Sequence, residues 1–308
     1  MTIRRDMLKA ASRAKHLLND SADLVVNFVN RQFNQDGGFK GRSNQSDLYY
    51  TVFGLESLLA LDADIPQERI LNYLRKFEDG SNLDLVHLAC LARCWADVSQ
   101  FQGAGIRNGI ARNIERYRCP DGAYNTLTGA SHGSSYGCFL ALGAYQDLNF
   151  ILRSPQGAEN GMDMVTSTAV ANCIKALRTP DGAYSNDPAI QIPSTPATAA
   201  ALTVLHYLNE PVDNLSTDWL LSRLHPKGGF VAMATPGQNG IPDLLSTAVA
   251  LHALALMGIS TDNIKDRCLD FLDTLWSSEG GFQGNWADNI IDCEYTYYGL
   301  LALGHLNG

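Results

Sequence analysis

The chain has 308 residues, of which 45% are hydrophobic and 18% are charged. This composition can close a large core and excludes an intrinsically disordered chain. With 23 basic and 32 acidic residues the formal charge is −9, which argues against the broad basic face that nucleic acid requires. We therefore expect no nucleic-acid partner.

Membrane insertion and secretion are not predicted either. No apolar run approaches the roughly 18 residues of a membrane-spanning helix, and the first residues lack the continuous apolar stretch of a signal peptide. The 7 cysteines are an odd number and lie mostly in apolar segments, which indicates reduced thiols rather than a disulfide framework. We expect a cytoplasmic protein without a transmembrane segment.

A turn of glycine followed by an aromatic residue recurs along the chain between apolar segments. It reads DGGF at 36–39, DGAY at 121–124 and 181–184, KGGF at 227–230 and EGGF at 279–282, with a weaker copy, DGSNL, at 79–83. Six copies at intervals of 41 to 60 residues indicate a repeat architecture.

Each repeat pairs an amphipathic segment with one that is nearly free of charge. Residues 68–77 and 216–224 carry apolar residues at the spacing of a helix with one solvated face. The second segments must be buried on all sides, and they are 51–61, 135–145, 195–208, 244–258 and 295–304. No segment alternates with period two for long enough to predict a sheet. We predict an all-α fold, an α6/α6 toroid of six helical hairpins with the apolar helices inside; the alternative is an open solenoid.

Two segments of the chain resemble a known repeat. GGFKGRSNQSDLYYTVFGLESLLAL at 37–61 and GGFQGNWADNIIDCEYTYYGLLALG at 280–304 resemble the repeat of protein prenyltransferase beta subunits and, more distantly, of squalene and hopene cyclases. The resemblance implies an α6/α6 toroid whose central cavity holds an isoprenoid. It begins near residue 22, so we predict an N-terminal helical extension over 1–21 and a single prenyltransferase-like toroid domain over 22–308.

The resemblance also assigns residues to a prenyl diphosphate. His132, in SHGSSYGCFLAL, and Arg42, in GGFKGR, match the residues that hold the diphosphate in these transferases. The family's zinc-binding Cys and His are not matched. Asp243 and Asp292, together with Glu294, are therefore the candidate ligands of a divalent metal, zinc or magnesium. The resemblance further implies a helical partner subunit.

Parallel inner helices would present their N-termini at one end of the toroid. Unpaired N–H groups and helix dipoles make such a mouth suited to an anion such as phosphate. In the alternative, the residues that begin these helices are N-caps that satisfy the N–H groups themselves. Those residues are Asp47, Ser194, Asp243 and Asp292.

Aromatic residues follow these N-termini along the inner helices. An aromatic-lined apolar cavity suits a long hydrocarbon and stabilises an allylic cation through cation–π contact. The candidate lining residues are Tyr49, Tyr50, Phe53, Tyr136, Tyr295 and Tyr298. In the alternative, the rings fill space between inner and outer helices.

Glu294 stands in an otherwise apolar stretch, so it must face the cavity or a partner charge. With Asp292 and Asp243 it is a candidate catalytic residue, because burial raises the pKa of a carboxyl group and lets it act as an acid. In the alternative, Glu294 only favours the helix dipole. His87, His206 and His252 lie on predicted inner helices and are expected to be hydrogen-bonded core histidines.

The resemblance, together with these patterns, implies an isoprenoid-diphosphate-binding, prenyltransferase-like protein that transfers a prenyl group to an acceptor that the residues do not identify. One alternative is a terpenoid cyclase that uses a buried carboxylic acid, although the chain contains no adjacent Asp pair and hence no DxDD motif. The others are a catalytically silent toroid that acts as a binding scaffold and a toroidal glycosidase with paired carboxylates.

Overall fold

The computed structural model describes residues 2–98, 104–152, 162–233 and 240–307. Within these ranges, inner and outer helices alternate along the chain. The inner helices are α4 (Leu48–Ala60), α6 (Leu85–Asp97), α8 (Ser135–Leu152), α10 (Thr195–Tyr207), α12 (Leu244–Leu256) and α14 (Cys293–Leu306). The outer helices are α3 (Ser21–Arg31), α5 (Gln67–Arg75), α7 (Ala104–Ile114), α9 (Met164–Ala176), α11 (Asn214–Leu221) and α13 (Lys265–Leu275).

Two further helices, α1 (Ile3–Ser12) and α2 (Ala14–Leu18), precede the hairpins. Each inner helix packs against the next one along the chain, and α14 packs against α4, so the ring is closed. The predicted α6/α6 toroid is thereby confirmed over the open solenoid. None of the helices in the described ranges is long and apolar enough to cross a membrane.

The repeated turn has a structural role that explains its sequence. The aromatic residue of the turn is buried, and in four repeats its backbone N–H donates to a threonine hydroxyl in the first turn of the following inner helix. A Cβ at Gly37 would lie 2.0 Å from the carbonyl oxygen of Arg69, and Gly37 has φ +94°. The glycine thus lets the turn approach the next outer helix closely.

Four short strands form a feature that the sequence pattern did not predict. They are β1 (Phe230–Val231), β2 (Pro242–Asp243), β3 (Phe282–Asn285) and β4 (Asp288–Asp292), paired antiparallel in that order. Strands of two to five residues are too short to show an alternating pattern. The sheet joins the loops that precede α12 and α14, so it forms part of the rim at the N-terminal end of the inner helices.

Helix α1 packs on the other end of the ring, against α14, α4 and α8. Arg4 is buried there and forms ion pairs with Asp97 at 2.6 Å and Asp147 at 3.0 Å. Met7, one turn further along α1, lines the central cavity. The helix therefore contributes to the floor of the toroid, near the C-terminal ends of the inner helices.

Replacing Gly304 by alanine is expected to destabilise the contact between α1 and α14. A Cβ at Gly304 would lie 1.8 Å from the carbonyl oxygen of Ala10, and a backbone atom cannot yield as a flexible side chain does. We expect the free energy of unfolding in urea to fall by about 1–3 kcal/mol. The matched control is Gly143→Ala on α8, where a Cβ meets open space; an equal loss in both variants would contradict the packing explanation.

Candidate functional site

The N-termini of the inner helices are capped by their own side chains. The Asp47 carboxylate accepts from the backbone N–H of Tyr49 at 2.7 Å, and that of Asp243 accepts from Ser246 at 2.7 Å. Ser194 and Asp292 cap α10 and α14 in the same way. The alternative that these four residues are N-caps is confirmed. These caps occupy N–H groups that an anion at the mouth would otherwise use.

Arg42 lies at the mouth but is already paired with two carboxylates. Its Nη2 lies 2.8 Å from Asp288 and its Nε lies 3.2 Å from Asp292. Its guanidinium also stacks 5.6 Å from the ring centroid of Tyr295. A guanidinium held by two acids is a weaker anion receptor than a free one.

His132 lies on the outside of the toroid. Its side chain is 61% exposed and 3.9 Å from Asp121, and it borders an outer groove together with Met164 and Val165 of α9. The side chain of Asn125 donates to the His132 carbonyl and holds the loop in this position. Among the residues that the structure describes, His132 does not line the central cavity. The structure therefore does not bring together the two residues that the resemblance assigned to a diphosphate.

The centre of the ring holds a cavity of about 420 Å³, within the range typical of small-molecule sites. Four of the six predicted aromatic residues border it or the adjoining pocket of about 90 Å³: Tyr49, Phe53, Tyr136 and Tyr298. Phe139 also lines both spaces, which share several walls. The predicted aromatic cavity is therefore present.

The other two aromatic residues pack in the loops of the mouth. A Cβ at Gly41 would lie 2.1 Å from the Tyr50 ring, and one at Gly284 would lie 2.4 Å from the Tyr295 ring. These two rings cover glycine-containing loops. The space-filling alternative describes Tyr50 and Tyr295 better than a lining role.

Among the residues that the structure describes, Glu294 carries the carboxyl group that lines the central cavity, and Asp147 lines the adjoining pocket. The Tyr49 hydroxyl donates to its Oε1 at 2.5 Å, whereas Oε2 has no hydrogen bond to any residue in the described ranges. Burial raises the pKa of Glu294 above its usual value, the Tyr49 hydrogen bond opposes that rise, and the Asp292 charge adds to it. A half-buried acid with one free oxygen in an aromatic cavity is suited to proton transfer.

The other two candidate acids are held by backbone and side-chain partners. Burial raises the pKa of Asp292, and its two oxygens accept from Arg42 and from the backbone N–H of Tyr295. Burial likewise raises the pKa of Asp243, whose Oδ1 caps α12. Neither carboxylate borders the central cavity among its described lining residues.

The three predicted metal ligands do not fit a metal ion in this arrangement. The oxygens of Asp243 and Asp292 are directed at helix N-termini and at Arg42, while Glu294 is directed at Tyr49. Within the described ranges, no three His, Cys, Asp or Glu side chains lie close enough to hold an ion. The donor set therefore does not converge on one point.

Several polar residues near the cavity carry no motif, and the sequence reasoning missed their partners. Arg93 lines the cavity and forms a two-point ion pair with Glu56, which is fully buried. The Nε and Nη2 atoms of Arg93 donate to the two carboxylate oxygens of Glu56. His252 also lines the cavity and contacts His305. The available sequence signal was a polar residue on an otherwise apolar inner helix. Such a residue requires a buried partner, but the sequence does not show which residue that partner is.

The expectation of core histidines is correct for His252 alone. His87 lies at the mouth, 2.8 Å from Asp84 and 3.5 Å from Asp47, and hydrogen bonding to Asp47 raises its pKa to about 9. His206, near the end of α10, is exposed. Both residues lie near the ends of their helices, where the surface of an inner helix reaches solvent.

Comparison with known proteins gives a consistent result for the fold. Residues 5–149, 148–239 and 198–307 match the family described as prenyltransferase alpha-alpha toroid domain. A variant of the type II terpene cyclase MstE from Scytonema, in complex with its substrate geranylgeranyl dihydroxybenzoate, is 14% identical with a TM-score of 0.62 over 96% of this chain and 97% of that one. No curated protein matches the sequence.

Two other solved structures share the architecture. ent-Copalyl diphosphate synthase from Streptomyces platensis is 15% identical with a TM-score of 0.57 over 84% of this chain and 50% of that one. An inactive variant of alpha-1,6-mannanase from Salegentibacter is 10% identical with a TM-score of 0.63 over 94% of this chain and 98% of that one. Identities this low establish the fold and leave the activity to the site.

Proposed function

The chain belongs to the family of prenyltransferase alpha-alpha toroid domains, and from this premise we propose that it binds an isoprenoid in the central cavity and cyclises it by proton transfer from Glu294. The observation that carries the proposal is the Glu294 carboxyl, which faces an aromatic cavity with one oxygen free and a raised pKa. The protonated form of such a carboxyl group is a general acid, and a raised pKa increases the population of that form.

The proposed reaction begins at the free oxygen of Glu294. The proton on Oε2 moves to one carbon of an alkene, and the alkene electron pair forms the new C–H bond. The carbon left positive is attacked by the next alkene of the chain, which forms the ring C–C bond. The final cation loses a proton to solvent, which gives a cyclic isomer of the substrate, and Glu294 takes up a proton from solvent before the next turnover. The reaction therefore needs no oxidant or reductant.

The rings that line the central cavity and the adjoining pocket support this chemistry. Tyr49 and Phe53 have centroids 5.0 Å apart, and Phe53 and Tyr298 have centroids 5.4 Å apart. Their electron-rich faces attract a positive carbon without offering a nucleophile strong enough to capture it at once. The same surfaces accommodate an apolar chain better than a sugar, whose hydroxyl groups need many polar partners.

The solved structures support the substrate class, because the Scytonema cyclase is bound to a geranylgeranyl compound. The transferase reading needs a cation that can hold a diphosphate. Arg42 is engaged by two carboxylates, and His132 lies outside the cavity. Cyclisation is therefore the better proposal, and prenyl transfer is an outcome that the test can reveal.

The test incubates the purified protein with geranylgeraniol and geranylgeranyl diphosphate and analyses the products by gas chromatography and mass spectrometry. We expect a cyclic isomer of unchanged mass from the wild type and none from Glu294→Gln. Formation of the same isomer by both proteins, or no isomer from any isoprenoid, would overturn the proposal. Release of diphosphate without dependence on Glu294 would favour the transferase instead.

Replacing Tyr49 by phenylalanine is expected to move the pH profile of cyclisation to higher pH. The Tyr49 hydroxyl lowers the pKa of Glu294, so its removal raises that pKa further. An acid catalyst loses activity as the pH rises through its pKa, so the falling limb of the profile should shift to higher pH. Initial rates between pH 4 and 9 measure the shift. A shift to lower pH would contradict the assignment of Glu294 as the acid.

A further inference from the structure

His252 lines the central cavity and carries a buried nitrogen without a hydrogen-bond partner among the described residues. The residue lies on α12, is 4% exposed and borders the cavity beside Val249 and Thr203. Its Nδ1 lies 3.0 Å from Nε2 of His305, and its Nε2 has no hydrogen-bond partner among the described residues. A buried polar atom without a partner is costly, so its presence beside a cavity indicates a bound group.

Both histidines are neutral at ordinary pH. Burial and the neighbouring His305 lower the pKa of His252 well below its usual value. Burial also lowers the pKa of His305, to about 4. A neutral pair shares a single N–H between the two facing nitrogens, and either ring can supply it. If His252 donates through Nδ1, its Nε2 is an acceptor; if His305 donates, the Nε2 of His252 carries hydrogen and is a donor.

The two functional groups lie at different depths of the cavity. Glu294 is the second residue after its N-cap, Asp292, whereas His252 is the ninth after Asp243. Seven residues of α-helix at 1.5 Å each place the imidazole ~10 Å deeper than the carboxyl group. The acid lies near the mouth, and the imidazole lies toward the floor formed with α1.

We propose that His252 binds the hydroxyl group of the ligand, and that the substrate is an isoprenoid alcohol that enters hydroxyl end first. A hydroxyl both donates and accepts, so it pairs with the Nε2 of His252 in either tautomer, whereas a carbonyl or an ether pairs with only one. A hydrocarbon leaves the nitrogen unpaired. The alkene at the far end of the chain then lies near Glu294. The inference rests on the proposed function, because it takes the ligand to be an isoprenoid.

The test compares the binding of farnesol and of farnesene, a hydrocarbon of the same carbon skeleton, both delivered from cyclodextrin and measured by calorimetry. In His252→Leu we expect the dissociation constant of farnesol to rise about 3- to 10-fold while that of farnesene changes less than twofold. The matched control is His206→Leu, a histidine on α10 that is exposed, which should leave both constants unchanged. Equal effects on the two ligands, or no binding of either, would overturn the proposal.

A second measurement uses the wild-type protein, so it does not depend on the folding of a variant. The ¹⁵N signal of the His252 Nε2 should shift when farnesol is added and stay in place when farnesene is added; an unchanged signal with bound farnesol overturns the proposal. Failure of the two ideas can be told apart. Farnesol binding that depends on His252 in a protein without Glu294-dependent cyclisation supports the hydroxyl site and rejects the cyclase. Glu294-dependent cyclisation in a protein whose farnesol binding does not depend on His252 rejects the hydroxyl site alone.

Discussion

Replacing Glu294 by glutamine is expected to lower the rate of cyclisation by about 100- to 10,000-fold, the usual contribution of a general acid. Glutamine has the same shape and its amide oxygen still accepts from Tyr49, but its N–H protons are not acidic enough to transfer to an alkene. Glu294 borders the central cavity, whereas Asp243 and Asp292 do not. Asp147 lines the adjoining pocket, but its carboxylate is held by Arg4 at 3.0 Å. Single-turnover kinetics measure the protonation step without interference from product release.

The control for this prediction is another change of an acid to its amide at the same end of the toroid. Asp84→Asn keeps an N-cap on α6, because asparagine caps a helix as well as aspartate does. We expect the rate of cyclisation by Asp84→Asn to stay within about threefold of the wild-type rate, because a surface substitution usually has a small effect. A similar loss of rate in Asp84→Asn and Glu294→Gln would show that the negative charge at the mouth of the toroid, rather than proton transfer from Glu294, controls the rate. Full activity in Glu294→Gln would reject Glu294 as the acid.

Replacing Arg93 by methionine is expected to cost about 3–5 kcal/mol of the free energy of unfolding. Glu56 is fully buried and its carboxylate is held by both arms of the Arg93 guanidinium. Without that partner a buried carboxylate stands in the core, near Asp97 and Asp147, which are also acidic. Urea unfolding followed by circular dichroism measures the loss.

The double variant Arg93→Met with Glu56→Leu separates the ion pair from packing. Removing both side chains leaves no unpaired charge, although the buried Tyr297 hydroxyl loses its contact with Arg93. Buried pairs replaced by apolar residues of similar volume often keep or gain stability. We expect the double variant to be more stable than Arg93→Met alone. If the double variant is instead less stable than Arg93→Met alone, the packing of the two side chains determines the stability rather than the buried charge.

Local patterns were sufficient to predict the helices and their order. An inner helix without charge must be buried on all sides. An Asp or Ser that precedes a helix caps it through local hydrogen bonds, which do not depend on the rest of the fold. Asp47, Asp243 and Asp292 were recognised as candidate caps for that reason. The short strands were not predicted, because their hydrogen bonds depend on how two loops meet.

The position of a side chain around its helix was harder to predict. Tyr49 and Tyr50 are neighbours in sequence, but only Tyr49 lines the cavity, since successive helical residues point about 100° apart. The apolar pattern of an inner helix covers its whole circumference, so it carries no signal for which face meets the cavity. The same ambiguity explains why Tyr295 and Tyr298 differ, the first in the mouth and the second in the cavity.

The sequence by itself determined the repeat, the alternation of inner and outer helices and the presence of aromatic residues near their N-termini. These features depend on periodicity and on local capping, which neighbours in sequence control. The tertiary structure decided which groups meet: Tyr49 with Glu294, 245 residues apart, and Arg42 with Asp292, 250 residues apart. Those contacts form because ring closure brings the first and last hairpins together, and the atoms that face each other there depend on packing that no local pattern records.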